Sequence, residues 1–135
     1  MKKTFVIAFV AAFALSLAGA AQAGNPSRDK ILSDLKAQAG GDFSAQRGQT
    51  LFQSKFTGGK EDTPSCTSCH GNSPQTIGQT RAGKSIDPMA VSRTADRYTD
   101  IEKVEKWFGR NCNSVLGRAC TAQEKGDFIT FMSQQ

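Results

Sequence analysis

Cys66-Thr67-Ser68-Cys69-His70 sets two thiols with two residues between them and an imidazole directly after the second. Three chemistries use such a cluster: a redox dithiol, half of a zinc site, or covalent attachment of a c-type haem. A dithiol centre expects a strand before it and a long helix after it, whereas Gly71-Asn72-Ser73-Pro74 follows here. A zinc site expects a matching second group, but Cys112 and Cys120 are eight residues apart and His70 is the single histidine. Haem attachment fits the spacing. The two cysteines form thioethers with the two vinyl groups, and the short chain between them sets the next imidazole under the iron. The reading is therefore one covalent haem c, with Cys66 and Cys69 as thioether residues and His70 as the proximal axial ligand.

With one histidine, bis-histidine ligation is excluded, and the opposite axial position is left to methionine, to an unusual ligand, or to nothing permanent. Met132 stands beside Phe128 on an apolar helical stripe and reads as core. Met89, in Asp87-Pro88-Met89, is the better methionine candidate because a proline-stiffened loop can present its sulfur. Asn111 competes with it. It falls on the apolar face of a predicted helix, four residues after Trp107, and a buried amide costs about 1–3 kcal/mol unless something satisfies it. Such an amide bonds backbone or a propionate, or it places its oxygen on the iron. Cys112 and Cys120 have only each other as partners and are expected to pair in an oxidising compartment; two free thiols are the alternative.

Four helical stretches position these groups. Ser27–Ala39 carries Ile31, Leu32 and Leu35 and stops at Gly40-Gly41. Ser44–Lys55 sets Ala45, Gly48, Leu51 and Phe52 on one face. Thr99-Asp100-Ile101-Glu102 has the capping-box form before Ile101, Val104, Trp107 and Phe108. Thr121-Ala122-Gln123-Glu124 repeats that form before Phe128, Ile129, Phe131 and Met132. Strand signals are nearly absent, so the expected class is all-α. The stretch Phe56–Tyr98, rich in Gly, Ser, Thr and Pro, is too long to stay structureless in a compact domain unless a cofactor organises it.

Composition bounds the rest. The 135 residues carry 17 Lys+Arg against 12 Asp+Glu. Met1-Lys2-Lys3, an apolar run Phe5–Leu17 and Ala21-Gln22-Ala23 read as a cleaved signal peptide over 1–23, leaving one domain over 24–135 and a periplasmic location. The run is too short for a membrane span, and no stable membrane insertion is expected. Without Lys2 and Lys3 the mild net charge of +5 falls further, far from a nucleic-acid-binding balance. The remaining apolar supply is thin, so the interior needs a disulfide, a metal or a cofactor.

Lys103-Val104-Glu105-Lys106-Trp107-Phe108, Arg110-Asn111-Cys112-Asn113, Val115-Leu116-Gly117-Arg118, Cys120-Thr121 and Glu124-Lys125-Gly126-Asp127 resemble the sphaeroides haem protein family. These are oxygen-binding monohaem cytochromes c. The haem motif and Gly83-Lys84-Ser85-Ile86-Asp87-Pro88 share the resemblance, which runs from about Ser44 to the C-terminus. It implies a fold like class I cytochrome c, with Gly48 and Phe52 meeting the Phe128/Phe131 face around a haem wrapped by the long loop. It also implies Asn111 as the sixth ligand of the ferric protein, a Cys112–Cys120 disulfide beside it, and release of the asparagine on reduction so that O2 or NO can bind. Met89 then becomes a loop or pocket residue, and Trp107 is assigned to haem packing. The implied electron donor is a redox partner protein, a dihaem cytochrome. Two other functions fit the residues: a plain electron shuttle with His70/Met89 ligation, and an enzyme that turns over NO or O2. Arg81, Lys84, Arg93, Arg97 and Arg110 are candidates for propionate contacts.

Overall fold

The computed structural model describes residues 24–135; the leader expected over 1–23 lies outside the described residues. Helix α1 (Pro26–Ala39) starts where the Asn25 side chain accepts the amides of Ser27 and Arg28, and it ends at Gly40 with φ 71°. Helix α2 (Ala45–Gln53) is capped by Ser44 and stops two residues before the expected Lys55. A single turn, α3 (Thr67–His70), carries the Cys-x-x-Cys-His motif. Two-residue strands β1 (Gly78–Gln79) and β2 (Ser85–Ile86) pair antiparallel within the long loop. Helices α4 (Ile101–Val115) and α5 (Ala122–Ser133) complete the chain. The all-α class is as expected, with a fifth helix, α3, inside what the sequence presents as loop.

The two capping boxes fare differently. At α5 the box is complete: Thr121 accepts from Glu124 N, and the Glu124 side chain accepts from Thr121 N. At α4 the cap is Asp100, one residue later than Thr99. Its carboxylate accepts from both Glu102 N (3.0 Å) and Lys103 N (3.1 Å). A charged group bonding two orphan amides outcompetes one hydroxyl at the positive end of a helix, and Thr99 instead donates to Asp96 O. Val104, Cys112 and Val115 are buried with Phe108 half-buried, while Ile101 and Trp107 are about half exposed.

Helices α2 and α5 cross at Gly48, where a Cβ would run into the Asp127 carbonyl and Phe131 Cβ. The close approach brings Phe52 to 6.2 Å from Phe128 and 6.0 Å from Phe131, ring centre to ring centre. Gly48 and Phe52 thus meet the α5 face that the family resemblance implies for them. Helix α1 also packs on α5. One apolar cluster joins Ile31, Leu35, Val104 and Ile129; a second joins Phe52, Phe128, Phe131 and Met132. Tyr98 and Phe108 touch both. Met132 is fully buried, as its helical stripe predicts.

Candidate functional site

The α3 turn begins on a hydroxyl cluster. Buried Ser65 Oγ lies 2.6 Å from Thr67 Oγ1 and 3.2 Å from Ser68 Oγ, while His70 N donates to Cys66 O. Gly71 ends the turn at φ 69°. Strand β1 then passes so close that a Cβ on Gly78 would strike the Cys69 carbonyl. The turn is therefore fixed at its start by hydroxyls and at its end by backbone, and all three motif side chains are half-buried.

Their protonation states follow from that burial. Cys66, packed against the Phe52–Phe128 cluster, is pushed up to about 11 by desolvation, so it is an uncharged thiol at neutral pH. A redox dithiol needs the opposite, a thiol pKa pulled down toward neutrality. Burial, reinforced by the Arg97 charge, pulls His70 down to about 4 and leaves a neutral imidazole. Cys66 and Cys69 are not bonded to each other. Among the described residues no three His, Cys, Asp or Glu side chains converge as a bare metal ion would require. An uncharged Cys66 thiol, an unbridged Cys69 and a neutral His70 imidazole on one turn fit a thioether-bound haem c better than either alternative.

Asn111 and Trp107 stand one turn apart on the same flank of α4, both exposed. The Trp107 ring lies 5.5 Å from the Arg110 guanidinium and 5.7 Å from Lys106 Nζ. Directly after Asn111, Cys112 is joined to Cys120 with their Cα atoms 5.6 Å apart. The same helix end is held by the loop leading to α3. Lys60 N donates to Ser114 O (2.7 Å), Thr63 Oγ1 lies 2.9 Å from Ser114 Oγ, and a Cβ on Gly59 would strike the Ser114 carbonyl. Cys66 follows Thr63 by three positions, which keeps the motif within about 11 Å of that clamped residue.

Met89 is held in the long loop after β2, its side chain against the same apolar cluster as Cys66. Its neighbour Ala90 donates to Pro74 O (2.9 Å), four residues past His70, and Val91 donates to Met132 O at the end of α5. Its own carbonyl accepts from Tyr98 Oη (3.2 Å), and its side chain packs against the Phe52–Met132 cluster. This loop is tied down further by two arginines. Buried Arg28 of α1 donates to Ala95 O and twice to Arg97 O, and Arg97 donates to Asp87 O and Pro88 O. Tyr98, at φ 61°, turns the chain from this loop toward α4, and burial raises its phenol above the ordinary value. Arg28 was legible at helical spacing from Ile31 and Leu35, but its positive charge hid it. Nothing in the sequence marks the left-handed turn at Tyr98. Of the other loop cations, Arg81 pairs with Asp62, while Lys84 and Arg93 are exposed.

A family model described as "Domain of unknown function (DUF1924)" matches residues 38–132, so nearly all of α1 precedes it. The cytochrome c-type protein SHP of Cereibacter sphaeroides is 53% identical over 88% of this chain and 92% of its own length. Cytochrome c'' of Methylophilus methylotrophus is 38% identical over 63% of this chain and 60% of its own. The structure of oxidised SHP, an oxygen-binding cytochrome c, matches with a TM-score of 0.79 at 52% identity, over 83% of this chain and 100% of that one. Oxidised cytochrome c'' matches at 0.68 and 30% identity, over 81% and 94%.

Proposed function

This chain belongs to the family of the SHP-type cytochromes c, and from that premise we propose that it is a periplasmic monohaem cytochrome that carries electrons and binds O2 or NO at its reduced iron. The observation that carries the reading is the α3 turn, which presents the Cys66 and Cys69 side chains, not bonded to each other, and a neutral His70 imidazole from one fixed backbone. Cys66 and Cys69 hold the haem as thioethers, and His70 is its proximal ligand. Bound there, a haem c supplies a one-electron couple and an iron that accepts diatomic ligands.

With the haem bound, Asn111 would be the second protein ligand of its iron in the oxidised state. Its amide oxygen is a hard, weak donor that would suit Fe(III) better than Fe(II), so it would be released on reduction. Its amide NH2 would then be free to donate a hydrogen bond. Met89 is the alternative ligand, its side chain packed against the same Phe52–Met132 cluster as Cys66. The Cys112–Cys120 disulfide holds Asn111 in register. Electrons arrive from a partner cytochrome, of the dihaem type.

The test is the absorption spectrum of the holoprotein in both oxidation states, with Asn111→Ala beside it. Low-spin ferric iron without a methionine-to-iron band, high-spin ferrous iron, and an altered ferric spectrum in the variant are expected. A methionine-type ferric spectrum sinks the assignment.

A further inference from the structure

Gly109 has no steric reason to be glycine. A Cβ there meets nothing within 4 Å, and its φ is not positive. By contrast, a side chain at Gly48, Gly59, Gly78, Gly117 or Gly126 would strike neighbouring atoms. A helical glycine is less stable than alanine, so the chain carries a cost at this position that no packing demands. Two residues of α-helix turn through about 200°, which puts Gly109 on the side of α4 opposite Asn111.

The ladder at this point carries a second irregularity. Asn113 Nδ2 donates to Gly109 O at 2.6 Å, reaching the same carbonyl that the helix pairs with Asn113 N–H. That carbonyl keeps a partner if the backbone bond lengthens, so opening the ladder there leaves no unsatisfied acceptor. The 109–113 bond spans Asn111. On either side the helix is fixed. Phe108 packs edge-on to Phe128 with centroids 5.5 Å apart, while Cys112 is disulfide-bonded and Ser114 is clamped by Lys60 and Thr63.

We propose that Gly109 and Asn113 form a flexure in α4 that lets Asn111 leave and rejoin the iron while Phe108 and Cys112 stay in place. This rests on Asn111 being the ferric ligand, and it makes Gly109 and Asn113 positioning residues. On one-electron reduction by dithionite the iron passes from Fe(III) to Fe(II), and the Asn111 oxygen departs with its lone pair. The flexure sets how fast that departure occurs.

The experiment is stopped-flow reduction of the holoprotein with dithionite in excess, following the Soret change that reports ligand release. Thermal melts of the same samples accompany it. Gly109→Ala is expected to keep the ferric spectrum and raise Tm, yet slow release by about fivefold, the factor equivalent to the alanine–glycine propensity difference. Asn113→Ala is expected to slow release as well, with a smaller rise in Tm, because the lost bond to Gly109 O offsets much of its propensity gain. Slowing in both, with Tm moving differently, separates the flexure from a general effect on stability. Release rates unchanged in both variants overturn it. Asn111→Ala distinguishes the two levels: an unchanged ferric spectrum there overturns the ligand assignment and the flexure together, whereas a changed spectrum with unchanged rates in the other two variants overturns the flexure alone.

Discussion

Asp127 joins two helices through one carboxylate. Its oxygens accept from Ser44 N (2.6 Å), from Arg47 Nε (2.7 Å) and Nη2 (2.9 Å), and from Gln123 Nε2 (3.0 Å). Burial alone would raise this carboxyl, but those donors together hold it below its ordinary 3.8. A depressed carboxyl stabilises the fold at pH values above its unfolded pKa, and that contribution is lost as pH falls through the folded value. We therefore expect acid melts to show stability dropping below about pH 4, with the drop reduced in Asp127→Asn. At neutral pH, Asp127→Ala should cost roughly 2–4 kcal/mol by urea unfolding, since it strands the Ser44 amide and unpairs Arg47. The lower half of that range is favoured because the Arg47 side chain is half exposed and screened by water. Nothing in the sequence singles out this carboxylate, because Arg47 lies 80 residues away along the chain. The haem motif and the Thr121 capping box were legible for the converse reason: all their parts lie within five residues.

Two helices contain glycines with opposite physics. At Gly48 the α2–α5 crossing leaves no space, because the Asp127 carbonyl and Phe131 Cβ occupy the position a side chain would take. Gly48→Ala should lower stability by about 2 kcal/mol or more, the helix-propensity gain being outweighed by overpacking against backbone. Gly109→Ala, in open space, should raise stability by about 1 kcal/mol. Chemical unfolding of the pair checks both signs with one substitution type, and a gain at Gly48 would contradict the tight crossing. The helices themselves were readable from periodicity and caps, with boundaries within about two residues. The α4 start was misplaced because Thr99 and Asp100 are both good caps, and only the observed geometry shows which one reaches two amides. Turn α3 was invisible as a helix because four residues give no periodicity to read.

The whole molecule is small for the number of jobs it does, and it meets them by tying its loops rather than enlarging its core. Two apolar clusters share Tyr98 and Phe108, so neither is independent of the other. Arg28 anchors the loop that carries Arg97 and Tyr98, while the Gly59–Ser114 contact and the Cys112–Cys120 bond anchor the loops around α4. These ties differ in kind, and a disulfide acts mainly on the unfolded chain. Replacing both cysteines with serine restores the entropy of a loop of eight residues, about 2–3 kcal/mol in the chain-entropy account. For a domain of this size that lowers Tm by roughly 10 °C or more. The folded helix should nonetheless persist, because Lys60 and Thr63 still hold Ser114 and Val104 and Phe108 still bury its other half. The expected result is a lower Tm with unchanged far-ultraviolet circular dichroism below the transition. Loss of helical signal at low temperature would mean instead that the disulfide holds α4 together in the folded state, and that the clamp from the loop leading to the Cys66–His70 turn is too weak to hold the end of α4 alone.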